Sequence, residues 1–459
     1  MSSKLPPIRL GNLSRCLRNF NPQRHVQIRL ISSTARRTTD GVYGELTAMR
    51  TRTPFIEAFR KQQAGENPSL AVPTAIHERD ISPKSMAESF TRVILPLARD
   101  PWLLDSYINS SGHIRLGTIF MDLDALAGVI AYKHTGDSVM TVTAAVDRIT
   151  LKHPLSEICD LELSGQVSFA TGRSSMEISI QVAKVPGEGQ TRSDEDVLLT
   201  CAFTMVSLDP TTKKPVAISP LITNTPEEKA MFAQGEANYA RKKSASALTL
   251  RKQTPNDEES DLIHQIWLTQ QDYHNPNTPT RKPASALYMS NTTIQSVQIM
   301  QPQYRNRHNF MIFGGFLLKS TFELAFTCAS SISHTRPTFL SLDPSVFENP
   351  VPVGSVLYLT ATVAYSDSEL VSDNLLDKKS PEGSSRIQIR VDSKVRDIEH
   401  GETKPTGTFN YTFEVARDVR IVPQTYGEFM MFLDARRRCR LVGESVDGVG
   451  DGKGGGVLE

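Results

Sequence analysis

Gly112-His113-Ile114-Arg115-Leu116-Gly117-Thr118-Ile119-Phe120-Met121-Asp122-Leu123-Asp124-Ala125-Leu126-Ala127-Gly128-Val129-Ile130-Ala131-Tyr132 is the stretch on which the reading of this chain turns. Leu116, Ile119, Phe120, Leu123, Ala127 and Ile130 recur at helical spacing, so it reads as a helix burying one broad face. Asp122 and Asp124 lie two residues apart and therefore point to different faces. Asp122 reads as an exposed or capping charge, and Asp124 as the group able to look into a cleft. About two hundred residues later comes Phe313-Gly314-Gly315-Phe316-Leu317-Leu318-Lys319-Ser320-Thr321-Phe322-Glu323-Leu324-Ala325-Phe326, a second glycine-led apolar helix.

The residues downstream of each helix turn this echo into a repeat. Asp147 to Pro154 and Asp343 to Pro350 are the same step after the two helices. Asp160–Val167 and Ser355–Val363 then alternate like strands. Each half supplies two more alternating runs: Ser175–Val182 with Leu198–Val206, and Arg386–Val395 with Thr406–Val415. One helix and then four antiparallel-type strands, twice over, predicts a duplicated α+β domain.

A chain of 459 residues, 39% hydrophobic, can bury two ordinary cores. The formal net charge of +1 gives no case for nucleic acid or a membrane surface as the main partner. Apolar runs fall short of the roughly 20 residues that cross a bilayer, so no transmembrane segment is expected. Five cysteines (Cys16, Cys159, Cys201, Cys328, Cys439) form no close pair, which argues against a disulfide framework and a cysteine-rich zinc site. No histidine pair has metal-ligand spacing. No metal or cofactor is therefore expected.

Residues 1–39 contain eight Lys or Arg and no acid, the composition of a mitochondrial transit peptide. Residues 40–84 read as a lead-in with a short helix near Pro54–Gln63, 85–210 as the first domain, and 211–284 as a helical, solvated connector. The charge runs of that connector, including Asp257-Glu258-Glu259, read as surface. The second domain spans 285–425, a C-terminal helix 426–441 and a disordered Gly-rich tail 442–459. Ser89–Leu97 reads as a first strand, and Asp100-Pro101 as the capped start of a short helix.

These residues carry a resemblance. Leu116-Gly117 with Asp122-Leu123-Asp124-Ala125-Leu126, Leu163-Ser164-Gly165-Gln166-Val167-Ser168, Phe313-Gly314-Gly315-Phe316-Leu317 and Thr425-Tyr426-Gly427-Glu428 with Leu433-Asp434 resemble, in order and spacing over about residues 80–440, the double-hotdog acyl-CoA thioesterases. The similarity is closest to the mitochondrial acyl-coenzyme A thioesterase 9 family. It implies tandem hotdog domains, each a long central helix wrapped by an antiparallel β-sheet. It further implies acyl-CoA as substrate, hydrolysis to free fatty acid and CoA, a mitochondrial-matrix location and a homo-oligomer of tandem subunits, a trimer being one form.

In such enzymes the acid comes from the helix of one repeat and an asparagine from the loop before the helix of the other. Asp124 matches the acid position, while the second repeat has Phe322 there, so one working site per chain is expected. The family's asparagine position, six residues before Phe313, is occupied here by Arg307, which leaves Asn306 and Asn309 as rival claimants. Phe313, Gly314 and Gly315 would supply substrate-binding contacts and backbone N–H groups at the helix N-terminus, a natural seat for an oxyanion.

Each of these residues also has a plainer reading: Asn306 and Asn309 as turn residues, Gly314-Gly315 as close packing, Cys328 as core. No Gly-x-Ser-x-Gly elbow supports an α/β-hydrolase. A hotdog hydratase or dehydratase would normally use a histidine, and neither central helix has one in its interior. A non-catalytic acyl-CoA-binding protein of the same fold is the alternative of a different class, and the presence of Asp124 weighs against it.

Overall fold

In the computed structural model, residues 54–64, 81–153, 157–186, 193–245, 250, 252–277, 281–307, 310–368 and 383–447 are described. The basic segment 1–39, the residues after Asp447, His308, Asn309 and the middle of the Ser366–Ser385 insertion lie outside them.

The elements reproduce the repeat. The first half contains β1 (Thr91–Leu95), α1 (Leu116–Thr135), β2 (Met140–Val146), β3 (Ile149–Leu151), β4 (Leu161–Ala170), β5 (Ser175–Lys184) and β6 (Val197–Leu208). Two helices come next, α2 (Pro226–Ala245) and α3 (Asp257–His274). The second half contains β7 (Ile294–Ile299), α4 (Gly314–Ser333), β8 (Thr338–Leu342), β9 (Ser345–Val346), β10 (Val356–Ser366), β11 (Ser385–Arg396), β12 (Thr403–Val415) and α5 (Tyr426–Asp447). In the lead-in a helix spans Phe55–Gln63. The short helix Pro101–Leu104 is capped by Asp100, whose carboxylate accepts from the N–H groups of Trp102 and Leu103.

The twelve strands form one sheet, ordered β7-β10-β11-β12-β8-β3-β6-β5-β4-β1, with β2 beside β6 and β9 beside β2. Its two halves join at a seam of matching register. Thr150 pairs with Ser341 across β3 and β8, and Val346 pairs with Ala145 across β9 and β2. Asp343 adds a buried polar tie, its carboxylate facing Arg148 of the first half and Arg438 of α5.

α1 is enclosed more fully than one apolar face implies: every residue from Gly117 to Ala127 is buried. The sheet covers one side and α4 the other, and a helix apolar almost all round is stable only in such a place. The N-terminal halves of α1 and α4 run antiparallel in direct contact. A Cβ on Gly117 would lie 3.3 Å from the Phe322 ring, and one on Gly315 would lie 2.7 Å from the Met121 carbonyl oxygen. Only the missing side chain lets the two backbones come this close.

The helices outside the sheet correct three expectations. α2 and α5 start with the same cap. Thr225 Oγ1 accepts from the Glu228 N–H while Glu228 accepts from Asn224, and Thr425, Glu428 and Gln424 repeat the arrangement. α2 packs on β4, with Gly235 against Phe169, and α5 packs on β10 through a Tyr365–Phe432 ring contact. The connector thus begins with the first repeat's own flanking helix.

Its charge run is not simply surface either. Glu259 is 5% exposed and held by Arg437 at 2.5 Å, and Glu258 pairs with Arg436 and Arg440 of α5. Those arginines hold both carboxylates in their charged form and below their ordinary range. α5 also continues to Asp447, beyond the 441 expected, because a lone glycine such as Gly443 costs a helix only about 1 kcal/mol.

Candidate active site

Asp124 is the centre of the site. It sits one turn beyond Met121 in the α1–α4 contact, and its carboxylate crosses from the first repeat to the second. Oδ2 accepts the Gly315 N–H at 2.6 Å, and Oδ1 accepts the Thr143 hydroxyl of β2 at 2.7 Å. The first N–H groups of a helix lack partners inside it, so the start of α4 holds an anion without further help. Gly314 leaves room for the approach: a Cβ there would stand a tight 3.1 Å from Asp124 Oδ2.

Asp122, read as exposed or capping, is neither. It is 0% exposed, and Tyr107 at the end of the short helix region donates its hydroxyl to Asp122 Oδ2. The two aspartates do point to different elements, as their spacing required. What the spacing could not give is the cover that Tyr107, itself 0% exposed, places over the first of them.

A cavity of about 770 Å³ runs past Asp124 and is lined by residues of both repeats, including Thr143, Asn306, Arg307, Phe313 and Gly314. That volume is in the range of small-molecule sites. Asn306 and Arg307 stand at the tip of a loop closed by two backbone bonds, Asn306 N–H to the Met311 carbonyl at 2.7 Å and Phe313 N–H to the Tyr304 carbonyl at 2.9 Å. Arg307, at the family's asparagine position, reaches back to the first repeat. It pairs with Asp137 at 2.6 Å and lies 4.5 Å over the Tyr132 ring. Of the residues singled out from sequence, Asp124, Asn306, Phe313 and Gly314 line one cavity and Gly315 touches Asp124, while Asn309 lies outside the described residues.

Thr143 is the member that sequence reasoning passed over. It stands in the strand after α1, but a lone threonine in an alternating strand has no signature of its own. Asp124 lines the cavity while being 0% exposed. Among the described residues no cysteine lines this cavity; Cys328 is fully buried, donates to the Thr292 carbonyl, and its thiol is pushed up to about 12 by desolvation. Among the described residues, no group of three or more His, Cys, Asp or Glu is placed to hold a metal ion, and no helix is long and apolar enough to cross a membrane.

Two long helices side by side, wrapped by one antiparallel sheet, with an acid from one repeat meeting the glycine-led start of the other's helix, make up a tandem hotdog fold. No family model matches the chain. A mouse protein, acyl-coenzyme A thioesterase 9, mitochondrial, is 34% identical over 380 residues, covering 80% of this chain and 81% of its own length. A hop protein, acyl-coenzyme A thioesterase 2, chloroplastic, is 32% identical over 355 residues, covering 76% and 77%. A solved apo-hexameric acyl-CoA thioesterase is 27% identical, covering 37% of this chain and 99% of its own, at a TM-score of 0.31. The chain belongs to the acyl-coenzyme A thioesterase 9 family.

Proposed function

We propose that this protein hydrolyses acyl-CoA to free fatty acid and CoA by general-base activation of water, with Asp124 as the base. The observation that carries the reading is the carboxylate of one repeat held between Thr143 and the Gly315 N–H of the other. An ionised carboxylate has about four acceptor positions. The bonds from Thr143 and Gly315 fix its orientation, and each oxygen can accept a water proton beside them.

The water oxygen attacks the thioester carbonyl carbon while Asp124 takes its proton. The carbonyl oxygen becomes an oxyanion facing the first-turn N–H of Gly314 and the Asn306 side chain, residues that both line the cavity. Because the Gly315 N–H is engaged by Asp124, its part is to hold the base, and Gly314 and Asn306 take the role of polarising the carbonyl. The C–S bond then breaks, Asp124 returns the proton to the sulfur, and the acid and CoA leave. No acyl-enzyme forms.

The acid-free composition of residues 1–39 supports import into the mitochondrial matrix, testable by fusing that segment to a fluorescent reporter. The strands at the two ends of the sheet, β1 and β7, expose Ile94, Val297 and Ile299 at 41%, 56% and 54%, which supports a homo-oligomer, a trimer of tandem subunits in our reading. Sedimentation of the purified chain tests it. For the chemistry, thiol release from acyl-CoA by wild type and Asp124→Ala is decisive. We expect turnover to fall by about two orders of magnitude or more, and unchanged turnover would exclude Asp124 as the base.

A further inference from the structure

The middle of α1 holds a glycine that its neighbours do not require. Gly128 stands in the interior of a twenty-residue helix, where glycine is a poor helix former. The other glycines of the paired helices are explained by contact: a Cβ on Gly117, Gly314 or Gly315 would meet an atom of the opposite repeat within 3.3 Å. A Cβ on Gly128 meets nothing within 4 Å, and the open space it faces is the cavity beside Asp124.

Ala125, Gly128, Val129 and Tyr132 succeed one another at the spacing of a single helix face, and all four line that cavity. They make a floor of small and apolar side chains, starting next to Asp124 and reaching Tyr132 about 12 Å further along the helix axis. Polar groups gather again at its far end, where Arg307 lies over Tyr132 and pairs with Asp137. A pantetheine arm brings amide groups that need hydrogen-bond partners when buried, whereas an alkyl chain needs none. The apolar stretch between Asp124 and Tyr132 therefore suits the acyl side of the thioester.

We propose that Gly128 sets the acyl-chain length this protein accepts: its missing side chain opens an apolar chamber along α1, with Tyr132 under Arg307 as the end wall. The inference rests on the thioesterase reading of the same cavity. Adding side-chain bulk at position 128 shortens the chamber while leaving Asp124, Thr143 and Gly315 where they are.

The test is thiol release from a series of acyl-CoA substrates, acetyl to palmitoyl, by wild type, Gly128→Ala and Gly128→Leu. The readout is the ratio of long-chain to short-chain kcat/KM. We expect that ratio to fall by a few fold in Gly128→Ala and by about tenfold or more in Gly128→Leu, the scale on which hydrophobic pockets discriminate by methylene groups. Thermal unfolding monitors the fold, and Gly128→Ala, which suits a helix, carries the test should the leucine variant not fold. A ratio unchanged in both variants overturns the proposal. So does an equal fall at every chain length, which would put the pantetheine arm over Gly128. A wild type inactive on the whole series would remove the thioesterase reading itself, and this proposal with it.

Discussion

Asp124 and Phe322 are each the ninth residue of their helices, and they stand at equivalent places in two halves that otherwise repeat one design. Their partners are equivalent too. The sheet register slips between Thr143 and Ala145 in the first half and between Phe339 and Ser341 in the second, so Thr143 and Phe339 sit just before the same bulge. In one place a hydroxyl donates to a carboxylate; in the other two rings meet edge to face, centroids 5.5 Å apart. Phe120, Phe326, Tyr411 and Phe413 also make ring contacts with Phe322. Beside it, Arg115 and Glu323 pair at 2.5 Å with both side chains only partly exposed. One backbone thus supports a polar site or a filled core, and two side-chain positions decide which.

Phe322→Ala should break the aromatic copy most visibly. We expect a loss of about 3–5 kcal/mol in chemical denaturation, the usual cost of removing a buried phenylalanine, with turnover per folded molecule near that of wild type. A large fall in turnover instead would mean that the aromatic copy takes part in the chemistry. At the polar copy, Thr143→Val keeps the shape and removes the donor to Asp124. Steady-state kinetics should show kcat lower by about tenfold or a little more, matching the roughly 1.5 kcal/mol that a hydrogen bond to a charged group supplies at the low end of its range, with KM moved less.

A smaller asymmetry concerns protons. His134, near the end of α1, is 0% exposed and its Nε2 bonds the Ser219 carbonyl at 2.9 Å, whereas the matching place on α4 holds Ile332. Burial is the main cause that holds its imidazole below the usual histidine range. The unfolded chain takes up a proton near pH 6.5 that the folded chain resists, so this contribution to stability is complete above that pH and is lost as pH falls below it. Denaturation at pH 7 and pH 5 should differ by at most about 1.4 kcal/mol per pH unit from this group, and His134→Gln should flatten the slope.

The duplicated helices were legible because glycine-led apolar runs recur with the same downstream steps, and the family resemblance pointed to Asp124. The burial of Asp122 was not legible, since spacing separates two faces without saying what covers each. Thr143 was hidden for a related reason: its role comes from a bulge and a partner on another element. The extent of the repeat was there to be read in Thr225-Pro226-Glu227-Glu228 and Thr425-Tyr426-Gly427-Glu428, whose shared caps open α2 and α5. The pairing of Glu258 and Glu259 with Arg436, Arg437 and Arg440 joins two charge runs far apart in the chain, a match that composition alone could not make.

The seam where Thr150 meets Ser341 and Ala145 meets Val346 has a practical corollary for anyone dissecting this molecule. Cutting the gene in two would leave β2, β3, β8 and β9 with raw backbone edges, the kind that seek out another chain and precipitate. A nick within the α2–α3 linker of the intact polypeptide would spare those ladders, and the fragments would stay clasped as a heterodimer.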